Sequence, residues 1–141
     1  MPIKNYTTKV PANRSMNEIQ DSLVKHGATG FMLKYEKGTG KIEALQFILE
    51  MPDGNSLHFQ MPINWKLFQN VLKEQRVSRW SDEDYCYRVA WRVIRDWVMS
   101  QMALYETRMV SLPQIFLPYA ITKKGNTVFE ELASNPQLLL K

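Results

Sequence analysis

The stretch DEDYCYRVAWRVIRDWVMSQMALYETRMVSL, residues 82–112, decides the fold of this chain. No glycine or proline interrupts it, and its apolar residues recur at helical spacing, so it predicts one helix of roughly 28 residues, about 40 Å long. Ser81 is the predicted cap, and the acidic residues that follow suit the positive end of the helix dipole. A helix of this length exceeds the core that such a chain can build, so we expect one end to pack on the following segment or on a second chain.

The segment before this helix alternates apolar and polar residues with the period of β-strands. It predicts three antiparallel strands, at residues 31–36, 42–50 and 56–61, joined by turns at Gly38-Thr39-Gly40 and at residues 52–55. Residues 3–10 are rich in strand formers and predict a further strand ending at Pro11. The predicted sheet therefore has three or four strands. One face is expected to be polar and to carry Lys34, Glu36, Gln46, His58 and Gln60.

Shorter helices complete the predicted fold. Ser15 and Glu18 form a predicted capping box for a helix that ends at His26-Gly27. Asn64 is the predicted cap of a helix over residues 65–75, with Leu67, Phe68, Val71 and Leu72 facing inward. Residues 111–119 predict a short helical turn, residues 122–126 a polar turn, and residues 127–133 a last short helix. The predicted architecture is α+β in the order β-α-β-β-β-α-α.

Composition bounds the class of protein. Of 141 residues, 45% are hydrophobic, which is enough for the core of one domain. The apolar runs are too short to span a membrane, and the N-terminus lacks the apolar region of a signal peptide. The single cysteine, Cys86, cannot form an internal disulfide. We therefore expect one cytoplasmic domain, residues 1–141, with no membrane partner.

Charge is distributed unevenly along the chain. The net charge is +4, and residues 1–41 account for it with seven basic residues against three acidic ones. An excess of this size is compatible with an anionic partner such as nucleic acid or a nucleotide, but it is also common in proteins that bind neither.

No motif for catalysis or for cofactor binding is found. His26 and His58 have no Cys, Asp or Glu around them at metal-ligand spacing, and no phosphate-binding loop, dinucleotide fingerprint or nucleophile elbow occurs. Cys86 lies beside apolar residues of the long helix, where a small buried side chain is expected. The sequence predicts a binding protein with no enzymatic activity, no metal and no cofactor.

The predicted ligand site is an arginine face on the long helix. Its members are Arg88, Trp91, Arg92 and Arg95, joined from the preceding connector by Arg79 and Trp80. An arginine guanidinium can bind a phosphate group through two hydrogen bonds at once. An indole ring can stack on a base or make a cation–π contact with a guanidinium. The alternative interpretation is that Asp84 and Asp96 neutralise Arg88 and Arg92 in surface pairs at i,i+4 spacing.

An apolar surplus late in the long helix predicts a further contact surface. Its members are Met99, Met102, Leu104, Tyr105 and Met109. Together they surround more of the helix than one core-facing stripe needs. Packing on residues 115–117 explains part of this surplus, and we expect a subunit interface of a homo-oligomer to explain the rest.

Several segments resemble small proteins that are often encoded in bacteriophages and prophages. The likeness lies in residues 89–97 (VAWRVIRDW), 101–104 (QMAL), 116–119 (FLPY), 5–10 (NYTTKV) and 25–28 (KHGA), and so covers most of the chain. The group has no assigned activity, and no residue role follows from it. The resemblance implies a context in which small accessory proteins act on host defence, by sequestering a nucleotide signal or blocking an effector, or assist phage DNA metabolism.

Three functional hypotheses follow. In the first, the chain captures a small anionic nucleotide signal, in a pocket completed by a second subunit. In the second, it binds nucleic acid through its basic N-terminal region and the arginine face. In the third, it inhibits a host protein through the apolar long helix. A closed pocket lined by arginine and aromatic groups favours the first, and a continuous basic surface favours the second.

Overall fold

A computed structural model describes residues 1–140 of the chain. Its strands are β1 (Ala28–Tyr35), β2 (Ile42–Glu50) and β3 (Ser56–Pro62). Its helices are α1 (Ala12–Lys25), α2 (Trp65–Glu74), α3 (Glu83–Glu106), α4 (Leu112–Phe116) and α5 (Val128–Ser134), with 3-10 turns at Leu117–Tyr119 and Pro136–Leu138. The predicted α+β class, the three-stranded sheet and the long helix are confirmed. Within residues 1–140, no helix is both long and apolar enough to cross a membrane.

The sheet is antiparallel throughout, in the order β1-β2-β3. Phe47 of β2 lies directly across from Phe31 of β1 and Phe59 of β3. The rings of Phe47 and Phe59 stack with centroids 5.1 Å apart, and Phe116 of α4 meets Phe47 edge-on at 4.9 Å. This apolar face is covered by the helices, which buries the aromatic rings and fixes the strand register.

The opposite face of the sheet carries the polar residues that the alternation predicts. Gln46 lies across from Gln60, and its side-chain amide donates a hydrogen bond of 2.5 Å to the Gln60 carbonyl oxygen. His58 and Lys34 project from the same face. His58 lies two residues from Gln60 along β3, and Lys34 lies two residues from Met32, which is the partner of Gln46 on β1.

Helix α3 contributes buried side chains to two hydrophobic clusters. Its N-terminal half packs on α2, where Leu72, Cys86 and Val89 are fully buried. Its middle and C-terminal half pack on the sheet and α4 through Val98 and Met102. With 24 residues, at 1.5 Å each, the helix is about 36 Å long. Both ends of the helix therefore pack within this chain.

The long helix begins and ends close to the predicted positions, with two corrections. Asp82, and not Ser81, is the cap, because its carboxylate accepts a hydrogen bond from the backbone of Tyr85. The helix stops at Glu106 because the Thr107 hydroxyl bonds to a carbonyl of the last turn and Arg108 adopts a left-handed backbone with φ of 66°.

The predicted first strand is wrong. Residues 4–7 form turns, in which Tyr6 N–H donates to the Ile3 carbonyl at 3.2 Å and Thr8 N–H to the Asn5 carbonyl at 2.9 Å. Asn5 has a φ of 66°, a conformation that Asn tolerates better than most residues and that no strand contains. The first element is therefore α1.

Two predictions for the flanking helices are also wrong. The capping box at Ser15 and Glu18 does not form, because Pro11 occupies the N-cap position and α1 begins at Ala12. Ser15 is instead buried within the helix. On α2, Leu67 is exposed, because Trp65 and Leu72 fill the contact with α3.

Candidate functional site

Two residues of the predicted arginine face lie in the contact between α1 and α3, and the others do not pair there. Arg92 Nη1 lies 3.0 Å from Glu18 Oε2, and Arg95 Nε donates a hydrogen bond of 2.6 Å to the same oxygen. Arg95 Nη1 also lies 3.1 Å from Asp96 Oδ1. Two of the predicted ligand-binding cations are therefore paired within the protein, by an acid on another helix.

The surface pairs of the alternative interpretation are absent among residues 1–140. Asp84 pairs with Lys41, at 3.4 Å between Oδ1 and Nζ, and not with Arg88. Asp96 pairs with Arg95 and with Lys4, at 3.1 and 3.5 Å, and not with Arg92. Arg92 is thus neutralised across the contact between α1 and α3, Arg95 by Glu18 and by its neighbour Asp96, and Arg88 by neither of the predicted acids.

Glu18 is the centre of this network. Burial opposes ionisation of its carboxyl group, but the hydrogen bond from Arg95 and the charges of Arg95 and Arg92 outweigh that effect, and the pKa of Glu18 is lowered. Burial likewise opposes ionisation of Asp96, whose pKa is nevertheless lowered by hydrogen bonds from Asn5, Arg95 and Lys4. The network ties the N-terminal turn and α1 to α3.

Trp91 lies in the core. Its side chain has no exposed surface, and its ring meets Tyr87 edge-on at 6.2 Å. Its indole N–H is buried and has no hydrogen-bond partner among residues 1–140. In this fold Trp91 offers no surface on which a base could stack, so the predicted role of this residue is corrected to core packing.

The remaining predicted residues, Arg79, Trp80 and Arg88, lie in the connector between α2 and α3 and in the first turns of α3. The guanidinium carbon of Arg79 lies 4.9 Å from the centre of the Tyr85 ring, and that of Arg88 lies 5.8 Å from the same ring. The Tyr85 hydroxyl donates a hydrogen bond to the Tyr6 carbonyl, which holds the ring in place. We call Arg79, Trp80, Tyr85 and Arg88 the arginine corner.

The two arginines of the corner differ in their charge partners. Arg79 Nη2 lies 2.7 Å from Asp82 Oδ2. The hydrogen bond from Arg79 and that from the Tyr85 backbone lower the pKa of Asp82, so this acid stays ionised and neutralises Arg79. Arg88 forms no ion pair with any residue from 1 to 140, and its Nε atom is buried without a hydrogen-bond partner. Of these two arginines, only Arg79 has an ion-pair partner among the described residues.

Further cations border the corner. Lys73 Nζ lies 4.9 Å from the centre of the partly exposed Trp80 ring. Arg76 is exposed and adopts a left-handed backbone with φ of 57°, which ends α2. Sequence reasoning missed Lys73 and Tyr85, although the i,i+3 spacing of Tyr85 and Arg88 is visible in the sequence.

At the corner, Arg79 is exposed, Trp80 and Arg88 are partly exposed, and Tyr85 is buried. Five surface cavities of about 280 to 530 Å³ occur elsewhere in the described chain, and none is lined by any of the six predicted ligand residues. Within residues 1–140 no group of three or more His, Cys, Asp or Glu side chains could hold a metal ion. Cys86 is fully buried, and burial raises the pKa of its thiol.

Neither histidine belongs to a group of this kind among the described residues. His26 Nδ1 lies 2.6 Å from the Ser22 carbonyl, and its Nε2 lies 2.8 Å from Glu106 Oε1, so the ring links the C-terminal ends of α1 and α3. His58 stands on the polar face of the sheet.

The apolar residues of α3 and its C-terminal flank that were predicted to form a subunit interface differ in their burial. Met102 is buried in the main core, and Met99, Leu104 and Tyr105 are partly buried, whereas Met109 is exposed. Much of the surplus is therefore accounted for by packing within the chain.

No family model, curated protein or solved structure matches this chain. The resemblance to small phage and prophage proteins consequently rests on the quoted residues alone.

Proposed function

We propose that this chain is a non-enzymatic binding protein for a phosphate-bearing ligand, and that the arginine corner is its site. One observation carries the proposal: Arg88 is a permanent cation with no acidic partner, whereas Arg79, Arg92 and Arg95 all have one. An arginine fork without an internal partner is suited to bind a phosphate group bidentately. Arg76 and Lys73 add cations beside it.

The exposure of the cations Arg76 and Arg79 beside the partly exposed Trp80 and Arg88 favours a nucleic-acid strand as the ligand. A strand can run along a positively charged surface, with phosphates on Arg88 and Arg76 and a base against the partly exposed Trp80 ring. A mononucleotide gains less from such a surface, because it must be enclosed to make many contacts at once. The proposed function is therefore binding of single-stranded nucleic acid.

A small anionic nucleotide signal is the second candidate, in the setting of a phage-type protein that acts against host defence. The observation that favours it is that the guanidinium carbons of Arg79 and Arg88 lie 4.9 and 5.8 Å from the centre of one aromatic ring, so that both cations stand beside Tyr85. This candidate requires a second subunit to close the corner.

Fluorescence anisotropy with a labelled oligothymidylate of about 20 nucleotides tests the proposal, with calorimetry against linear and cyclic nucleotides for the second candidate. We expect Arg88→Gln to weaken binding by roughly tenfold, the scale of one lost charge-assisted contact. Lys123→Gln, which removes an exposed cation elsewhere, is the matched control. Strand binding should fall steeply with salt, and nucleotide binding only modestly.

The outcomes separate the candidates. Binding of the oligonucleotide that Arg88→Gln weakens and Lys123→Gln does not supports the strand site. Binding of a nucleotide alone, by a dimer, supports the second candidate. Equal affinity of both variants for every ligand that the parent protein binds rejects the corner as the site.

A further inference from the structure

An apolar groove lies between α3, the end of β3 and the segment around α5. It consists of two adjoining cavities of about 530 and 300 Å³, which share Pro62 and Tyr119 as lining residues. The larger cavity continues to Phe129 on α5, and the smaller one to Trp97 on α3. The groove shares no residue with the arginine corner, and its assignment is independent of the proposed function.

The walls of the groove are held by packing. The Trp97 ring meets Phe116 edge-on at 5.8 Å and Tyr119 edge-on at 6.3 Å. Just beyond Tyr119, the chain forms a β-bridge between Ala120 and Phe59 of β3. The aromatic wall is therefore preformed, so that a ligand need not order it on binding.

The rim of the groove exposes large apolar side chains. Phe129 is 63% exposed and lines the larger cavity, and Leu117, next to the lining residue Pro118, is 52% exposed. Exposed aromatic side chains beside a preformed apolar depression are typical of protein interaction sites. A polypeptide can cover both the cavities and this rim, whereas a small molecule fills only a cavity.

The charge at the groove indicates the chemistry of its occupant. Glu130 is the one charged residue among those that line either cavity. Hydrogen bonds from the backbone and side chain of Thr127 lower the pKa of Glu130, so it is a carboxylate at neutral pH. Its Oε1 accepts the Thr127 N–H at 3.0 Å, while Oε2 has no partner among residues 1–140. Glu130 therefore gives the lining of the groove a negative charge.

We propose that the groove docks a polypeptide segment of a partner protein that carries a large apolar anchor followed within a few residues by Lys or Arg. The anchor fills the cavity between Tyr119 and Phe129, and the cation meets the free oxygen of Glu130. An acidic segment is rejected, because its carboxylates would face Glu130.

A displayed library of random dodecapeptides, selected on the full chain, tests the site. We expect enriched peptides to combine an aromatic or aliphatic anchor with a nearby basic residue. The strongest of them is then synthesised and its affinity measured by anisotropy. Phe129→Ser should weaken its binding more than tenfold, and Glu130→Gln about threefold to tenfold.

The variants are chosen to leave the fold intact. Glutamine can replace glutamate in a capping box, so Glu130→Gln keeps the cap of α5 and removes only the charge. Met109→Ser is the matched control for Phe129→Ser, since Met109 is 65% exposed and lies outside the groove. Replacing the basic residue of the peptide by norleucine should remove the difference between the parent protein and Glu130→Gln.

Three results would overturn the proposal. One is a selection that enriches no consensus, or that enriches peptides rich in Asp and Glu. Another is equal affinity of Phe129→Ser and Met109→Ser for the selected peptide. The third is a dimer of the chain that Phe129→Ser dissociates, because the occupant is then a second copy and not a partner polypeptide.

Discussion

The carboxylate of Glu18 on α1 accepts a 2.6 Å hydrogen bond from Arg95 on α3, and its same oxygen lies 3.0 Å from Arg92. This one acid holds two of the arginines that the sequence offers as ligand contacts. Because the pairing joins α1 to α3, its contribution to the stability of the fold can be measured separately from ligand binding.

Glu18→Gln should destabilise the fold by about 1–2 kcal/mol, because it leaves the partly buried Arg92 without an acid and leaves Arg95 with Asp96 alone. Urea denaturation monitored by tryptophan fluorescence measures the change. Arg14→Gln is the control, since Arg14 is mostly exposed and pairs with Glu18 from the outside; its effect should stay within about 0.5 kcal/mol. A loss of similar size in both variants would contradict the interhelical role.

Acid should weaken the fold through the same network. The folded-state pKa values of Glu18 and Asp96 lie below their ordinary values of 4.5 and 3.8. A carboxyl group of lowered pKa contributes stability above its unfolded pKa, and this is lost as the pH falls through the folded pKa. We expect the free energy of unfolding to decline from about pH 4.5 downward. Urea midpoints over a pH series check this, and Glu18→Gln should show a shallower decline.

Substitution of Trp91 should mainly lower the stability of the fold, whereas substitution of Trp80 should mainly weaken binding. Trp91→Leu removes part of a fully buried ring and should cost about 3 kcal/mol in stability, even though it also removes an indole N–H that has no partner. Trp80→Leu, at a partly exposed site, should cost about 1 kcal/mol or less and weaken oligonucleotide binding. Melting curves beside the anisotropy assay give both numbers. A stable Trp91→Leu protein with impaired binding would restore Trp91 to the ligand site.

Cys86 should be inert toward thiol reagents in the folded protein. Burial and the nearby charge of Asp82 raise the pKa of its thiol, and the side chain has no exposed surface. Labelling by an aromatic disulfide reagent at pH 8 should therefore proceed only through unfolding and accelerate in urea along the unfolding curve. Rapid labelling without urea would show that the contact between α2 and α3 opens readily.

Local patterns were sufficient for most of the secondary structure. The alternation over residues 42–50 matches the bounds of β2, and Gly38 and Gly40 adopt the positive φ that the hairpin turn requires. Patterns failed where a tertiary contact or a competing local bond decided. Residues 3–10 have strand propensity, yet the hydrogen bond of Asn5 to Asp96 and that of Tyr85 to the Tyr6 carbonyl hold this segment as a turn against α3.

By itself, then, the sequence determined the α+β class, the strand alternation and the long uninterrupted helix, because these follow from backbone preferences and from side-chain periods of two and 3.6 residues. Only the tertiary structure decided which arginines keep a free charge. Glu18 lies 74 positions before Arg92 and 77 before Arg95, so no spacing rule along one helix could pair them. The packing of α1 on α3 makes that pairing and buries Trp91, whereas Arg88 of the same helix α3 has no ion-pair partner among residues 1–140.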